Sequence, residues 1–367
     1  MAFAFIKPDT RIDFIGKRYW ALGLSAVALL IGLAAMFWGH GLRMGIDFAG
    51  GVIVQVRFAA PVEDEALKKA LNVPSLPGIS TQRFGEGDQE YLLRFSSTEH
   101  ADVAELRTAV INALQSAFPD NRSEIQRMEV VGPKVGQDLS NKALSALYYA
   151  ILLIAVYISG RFEQRWMAGA VMAAALWGGM YALSTFTPLG IGWLVLFALL
   201  ITLAICFFLR LNFALGAIIA LLHDVLITTG YLALLGIEID LNVIAALLTI
   251  IGYSLNDTIV VYDRLRENLR AAPKMELAAL INKSLNQTLS RTVLTSGTTL
   301  LASAALLVFG GGVIHDFAVT VVFGVIVGTF SSIYIASALL MFFGDAEFYV
   351  RTQKRETYER PGEHGMV

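Results

Sequence analysis

Eight stretches of this chain run apolar for close to the length that a bilayer demands, and none of them contains a Lys or Arg. They lie at 20–38, 143–159, 166–187, 191–209, 213–235, 241–262, 292–310 and 316–342. A helix needs roughly 20 apolar residues to cross a hydrocarbon core about 30 Å thick. Inside that core each backbone polar group has to be satisfied within its own segment, so such stretches span as helices. The chain therefore reads as an α-helical polytopic membrane protein with about eight spans. Composition agrees: 56% of the residues are hydrophobic and 16% charged, against about 25% charged in an ordinary soluble domain. A soluble or a disordered chain is excluded. The first stretch lacks a small-x-small cleavage site and reads as an uncleaved anchor. Net charge is −2, which argues against a nucleic-acid partner. Cys206 is the single cysteine and sits in an apolar run, so disulfides and cysteine-held metal are excluded.

The basic residues sort by side. Lys7, Arg11, Lys17 and Arg18 precede the first span, and Arg161, Arg165 and Arg210 lie in turns. Arg264, Arg266, Arg270, Lys274, Lys283 and Arg291 lie between the sixth and seventh spans, and Arg351, Lys354, Arg355 and Arg360 in the tail. These are 17 of the 28, and the short connections 188–190, 236–240 and 311–315 hold none. The remaining 11 fall in segment 39–142, and long segments cross regardless of charge. The positive-inside rule then puts the N-terminal segment 1–19, loop 263–291 and tail 343–367 in the cytoplasm. Segment 39–142 faces the outside.

That segment has globular composition. Gly45–Gly51 leads into the alternating strand Val52–Phe58. A helix fits Glu63–Asn72, strands fit 79–84 and 89–95 around a Gly85–Asp88 turn, and a helix fits 100–117 with Ser97 or Thr98 as its cap. A last strand fits 124–131. The order βαββαβ is the ferredoxin-like arrangement.

Ionisable groups within the spans are costly, about 2.5 to 3.5 kcal/mol each at the bilayer centre. His223 and Asp224 lie midway along 213–235; they read either as a proton carrier or as a structural hydrogen-bonded pair. Asp257, with Asn256 beside it, lies about 24 Å along the sixth span at 1.5 Å per residue. A buried carboxyl without a fixed partner can stay neutral at neutral pH and so load and release a proton. Arg291 opens the seventh span at a matching depth, either meeting Asp257 across antiparallel helices or lying at the interface. Residues 264–290 are amphipathic, suited to the membrane surface or a partner. Gly324 and Gly328 form a small-xxx-small packing step. No phosphate-binding loop, no dinucleotide fingerprint and no HExxH is present. No cofactor, metal or catalytic residue is expected, so the chain does not read as an enzyme. An ion gradient remains as the energy source.

Six segments in order carry a resemblance across nearly the whole chain: Gly45–Gly51, Val131–Gly136, Tyr157–Glu163 with Arg161-Phe162-Glu163, Gly216–Val225, Leu248–Asn268 with Asn256-Asp257-Thr258, and Ser290–Thr299 with Arg291-Thr292. Together they resemble the SecF branch of the SecD/SecF family of protein-export membrane proteins, in the proton-driven RND superfamily. The resemblance implies six spans and one external domain after the first. It implies a multi-pass bacterial inner-membrane protein with both termini cytoplasmic and the domain periplasmic. It also implies use of the proton-motive force, with SecD, to help a translocating polypeptide leave the SecYEG channel in late export. A YajC-like subunit and membrane lipid are the further expected partners. It places Asp257 and Arg291 in the proton pathway, with Arg291 as the charge partner of Asp257. Gly45, Asp47, Gly50 and Gly51 fall on the family motif at the mouth of the domain. This chain departs from the pattern by two extra apolar segments near 166–209, which could sit at the bundle periphery. The alternatives are a stand-alone RND-type exporter of lipid or small molecules, and a scaffold that transduces nothing.

Overall fold

The computed structural model describes residues 10–39, 41–71, 79–83, 89–95, 103–163, most of 166–178, and 191–344. The Gly85–Asp88 turn, the Ser97/Thr98 cap, residues 1–9 and the tail after 344 lie outside the described residues.

The globular part alternates as its sequence requires. Strand β1 (Gly51–Phe58) buries Val52, Val54, Val56 and Phe58 on one face. It lies between β3 (Glu90–Phe95) and β4 (Ser123–Val131), and β2 (Ser80–Arg83) pairs the outer edge of β3. The sheet order is β2-β3-β1-β4, all antiparallel. Helices α3 (Asp64–Leu71) and α4 (Val103–Ala117) cover a single face and contribute Leu67, Leu71, Leu106, Val110 and Leu114 to one core. On the opposite face the Gln55 amide donates to Glu90 and to Gln126. Among the described residues the expected element order holds.

The rest is helical. α1 (Arg18–Phe37) precedes the sheet, and the short α2 (Ile46–Ala49) leads into β1. After the sheet come α5 (Pro133–Glu163), α6 (Ile191–Phe208), α7 (Asn212–Leu235), α8 (Leu241–Ala271), α9 (Leu277–Phe309) and α10 (Gly312–Phe330). A π-helical segment, Ser331–Ala336, joins α10 to α11 (Ser337–Phe343). Among the described residues, six helical stretches are long and apolar enough to cross a membrane: Ile15–Phe37, Pro133–Phe162, Asn212–Leu235, Leu241–Ala271, Leu277–Phe309 and Ile314–Phe343. The two extra segments hold shorter apolar helices, Gly169–Gly178 and Gly192–Phe208. α6 packs on α5 and α7.

The bundle reverses the soluble pattern: Trp20, Leu24, Leu30, Leu301 and Phe309 are exposed outward, while Ser, Thr and Asp side chains are buried between helices. α7 is buried along most of its length. It meets α1 where Gly32 faces Gly230, and a Cβ added to Gly230 would come within 2.5 Å of the Gly32 Cα. Such close backbone approach is how small residues hold spans together. Gly324 and Gly328 likewise face α8, at Ile250 and Ser254.

Loop 263–291 is corrected. α8 continues to Ala271 and α9 begins at Leu277, so only residues 272–276 connect them. The amphipathic stripe belongs to these helical extensions, where Leu265 and Leu269 share a core with Leu277, Leu280, Ile281 and Leu285. Similarly α5 starts at Pro133, so the last residues of segment 39–142 are already part of a spanning helix.

Candidate functional site

Asp257 is 1% exposed, on the face of α8 that carries Ser254 and Thr258. Positions i, i+3 and i+4 share a helix face, so these three residues point together into the bundle. From α9, Thr295 Oγ1 and Ser296 Oγ donate to the two Asp257 oxygens, each at 3.4 Å. Both hydroxyls are engaged elsewhere. Thr295 donates at 3.0 Å to the carbonyls of Arg291 and Thr292. Ser296 accepts from Tyr253 at 2.9 Å and lies 2.8 Å from Thr329 Oγ1 of α10.

Arg291 lies one turn before Thr295 on α9 and is exposed. Among the described residues no salt bridge joins it to Asp257. α8 and α9 pack on each other, but hydroxyls of α9 rather than the Arg291 guanidinium take the carboxylate. Asn256 is also exposed. One residue step turns a helix by about 100°, which carries it off the Asp257 face.

His223 and Asp224 make a second buried polar centre, 6% and 1% exposed. Despite pointing about 100° apart along the helix, they bond directly, with His223 Nδ1 2.9 Å from Asp224 Oδ1. Asp224 Oδ2 accepts from Ser254 Oγ of α8 at 2.5 Å and from Ser331 Oγ of the π segment at 2.7 Å. Ser332 lies 3.0 Å from Thr258 Oγ1 and donates to the Ser254 carbonyl at 3.2 Å. π-helical turns recur at functional sites, and here one turn supplies hydroxyls to both α7 and α8. Sequence reasoning missed Ser254, Thr295, Ser296, Ser331 and Ser332 as site residues. A signal existed for three of them: Thr295 and Ser296 stand inside the Ser290–Thr299 segment, and Ser254 is one turn from Asp257.

The glycine-rich motif sits where the globular part joins the bundle. Gly45 N donates to Ile239 O at 2.8 Å, and Asp47 Oδ2 accepts from Leu241 N, the first residue of α8, at 3.0 Å. Asp240 caps the same helix through Val243 N at 2.8 Å. Two carboxylates thus face one helix N-terminus, which favours negative charge. Burial, with Asp47 nearby, pushes the Asp240 carboxyl above its ordinary value, against the pull of the Val243 N–H. Gly50 and Gly51 take φ of 73° and 139°, and a Cβ on Gly50 would come within 3.0 Å of the Pro133 backbone. Arg94 of β3 forms an ion pair with Glu238. The loop joining α7 to α8 is therefore tied to the globular part at several points.

Residues 110–193 and 184–346 match the family described as protein export membrane protein SecD/SecF, C-terminal, and residues 35–62 match the SecD/SecF GG motif. A protein translocase subunit SecF from Calditerrivibrio nitroreducens is 38% identical over 337 residues, covering 91% of this chain and 95% of that one. One from Escherichia coli O157:H7 is 34% identical over 344 residues, covering 94% and 91%. The chain belongs to the SecD/SecF family. It is a SecF-like accessory subunit of the Sec protein translocase and a membrane protein. A crystal structure of SecDF, a translocon-associated membrane protein from Thermus thermophilus, superposes with a TM-score of 0.72 at 32% identity. That match covers 92% of this chain but 39% of the SecDF chain. A second SecDF structure, in a super-membrane-facing form, gives a TM-score of 0.52 at 32% identity, covering 96% of this chain and 40% of that one. Within the SecD/SecF family match 184–346 lie Asp224, Asp257 and Arg291, and within the GG-motif match lie Gly45, Asp47, Gly50 and Gly51.

Proposed function

We propose that this SecF-like subunit works with a SecD partner to convert the proton-motive force into late steps of protein export through SecYEG. The observation that carries the reading is Asp257, fully buried between α8, α9 and α10, touched by long hydroxyl bonds and, among the described residues, joined to no cation. A carboxyl so placed can change protonation without dismantling a salt bridge. Loading Asp257 removes the charge that the hydroxyls of α9 face. Unloading restores it, and a movement of α9 that brings Arg291 one turn inward would then balance it. The helix N-terminus held by Asp47 and the Arg94–Glu238 pair would carry such movement to the globular part.

The distribution of basic residues supports a bacterial inner-membrane placement with both termini cytoplasmic and the globular part periplasmic. The sheet order β2-β3-β1-β4 supports a ferredoxin-like domain. The extra apolar segments near 166–209 would add two further spans at the bundle periphery. The other partners are the translocating polypeptide, membrane lipid and a YajC-like subunit. Inverted membrane vesicles carrying Asp257→Asn provide the test. The variant assembles, yet a proton gradient no longer accelerates release of a secreted protein. Normal acceleration would remove Asp257 from the mechanism.

A further inference from the structure

Asp257 leaves the other buried ionisable pair unexplained. In His223–Asp224 the carboxylate is complete: one oxygen takes the His223 ring and the other takes Ser254 and Ser331. The ring is not complete. His223 Nε2 is buried with no hydrogen-bond partner among the described residues. A neutral imidazole has one N–H and one lone pair. With the Nδ1 hydrogen on the carboxylate, the stranded atom is a lone pair; with the opposite tautomer it is an N–H. Either is costly when left unmatched in a buried place. A structural pair would need only the carboxylate and its hydroxyls, which already bridge α7, α8 and the π segment.

We propose that His223 Nε2 is a second proton-binding site of this chain, with Asp224 as its fixed counter-ion. The proposal rests on the proton-motive reading above. The Nε2 lone pair takes a proton from water reaching the bundle from the end that carries the globular part, and a new N–H bond forms. The resulting imidazolium is balanced by the carboxylate 2.9 Å from Nδ1. Ser254 and Ser331 hold that carboxylate in place whether the ring is loaded or not. Loss of the same proton restores the lone pair. At 1.5 Å per residue, Asp224 lies about 17 Å from the globular end of α7 and Asp257 about 24 Å from that end of α8. A proton moving inward from that side therefore meets His223 first. Ser254 stands one turn before Asp257 on the same face of α8, so the two sites share a wall.

The elements packed around this region are α1, α5, α6, α8, α10, α11 and the π segment. Among the described residues, the one buried acid or base on their spanning parts is Asp257. His315 and Asp316 lie at the globular end of α10, where they contact each other. The other titratable groups on those stretches are tyrosines, such as Tyr148, Tyr253 and Tyr334, and Cys206. Among the described residues, Asp224 is thus the acid that balances His223.

The test is nitrogen NMR of the full-length chain in bilayers with 15N-labelled histidine, carrying His40→Gln, His100→Gln, His315→Gln and His364→Gln so that His223 is the one imidazole. On acidification the ring is expected to pass from a neutral tautomer pattern to an imidazolium pattern. Asp224→Asn is expected to abolish that passage. A ring that keeps one neutral pattern throughout, or a passage unchanged by Asp224→Asn, overturns the proposal. If the fourfold replacement disturbs folding, the difference spectrum between the native chain and His223→Gln reads the same signal. This readout does not use export, so a failure of Asp257 in the vesicle assay and a failure here are separate results.

Discussion

Asp224 and Asp257 are both buried carboxylates in one bundle, and they are held in opposite ways. Asp224 receives three partners at 2.5–2.9 Å from its own helix, from α8 and from the π segment. Asp257 receives two at 3.4 Å, and both donors have shorter bonds elsewhere. Burial alone therefore does not mark a site of change. The first carboxylate pins three elements together. The second sits in a pocket of hydroxyls that lose little when its charge disappears. The difference assigns a fixed role to one acid and a variable role to the other.

The largest expected effect breaks the comparison on the functional side. Asp257→Asn keeps shape and hydrogen bonding but cannot carry a proton, so gradient-driven export should fall to the level without a gradient while thermal stability in detergent hardly moves. A large loss of stability would mean that Asp257 is a pin like Asp224. The mirror experiment reads stability. Asp224→Ala strands His223, Ser254 and Ser331, and breaking a buried charged network in this way costs on the order of 3–5 kcal/mol. Asp257→Ala removes only long bonds and should cost well below that. Equal losses, compared in reversible unfolding titrations, would erase the distinction.

A smaller change tests which partner does the pinning. Ser331→Ala removes one hydrogen bond to a charged acceptor, worth about 1.5–3 kcal/mol, and leaves the Ser254 bond intact. Ser296→Ala, at the same kind of position beside Asp257, should cost about 1 kcal/mol or less, since its bond to the acid is long. If Ser296→Ala proved the more damaging of the two, Asp257 would be held more tightly than its distances imply.

Part of this was readable in the chain. Six of the eight apolar stretches are helices long enough to cross a membrane, and these, like the alternation Val52–Phe58, follow from apolar length and period, which act locally. What was not readable depends on contacts between distant residues or on a few tenths of an ångström. The extensions 263–271 and 277–291 carry charges as a surface loop would, yet they are helical because two such stripes pack on each other. The π turn at Ser331–Ala336 has no composition of its own, and it decides which hydroxyls reach Asp224. Arg291 has the depth for an ion pair, but its helix presents Thr295 and Ser296 instead.

A third acid, Asp13, supplies the contrast outside the candidate spanning helices. It precedes α1, where its carboxylate accepts from Gly16 N and from the Asn282 amide, each at 2.8 Å. Asn282 Oδ1 in turn accepts from Phe14 N and Ile15 N at 2.9 and 3.0 Å, and Asn286 exchanges bonds with the Ile12 backbone. This strap ties the N-terminal segment to the extension of α9 that leads to Arg291. The Gly16 and Asn282 donors hold the Asp13 carboxyl below its ordinary value of 3.8. A carboxyl lowered by folding stabilises fully above its unfolded value, and that contribution is lost as pH falls through the folded one. Hydrogen exchange at Phe14 and Ile15, corrected for intrinsic rates, should thus show constant protection from neutral pH down to the ordinary carboxylate range and a decline below it. Asp13→Asn should flatten the decline. The effect is small because the Asn282 bonds to the two amides do not titrate, and a decline that begins near neutral pH would trace the strap to some other group.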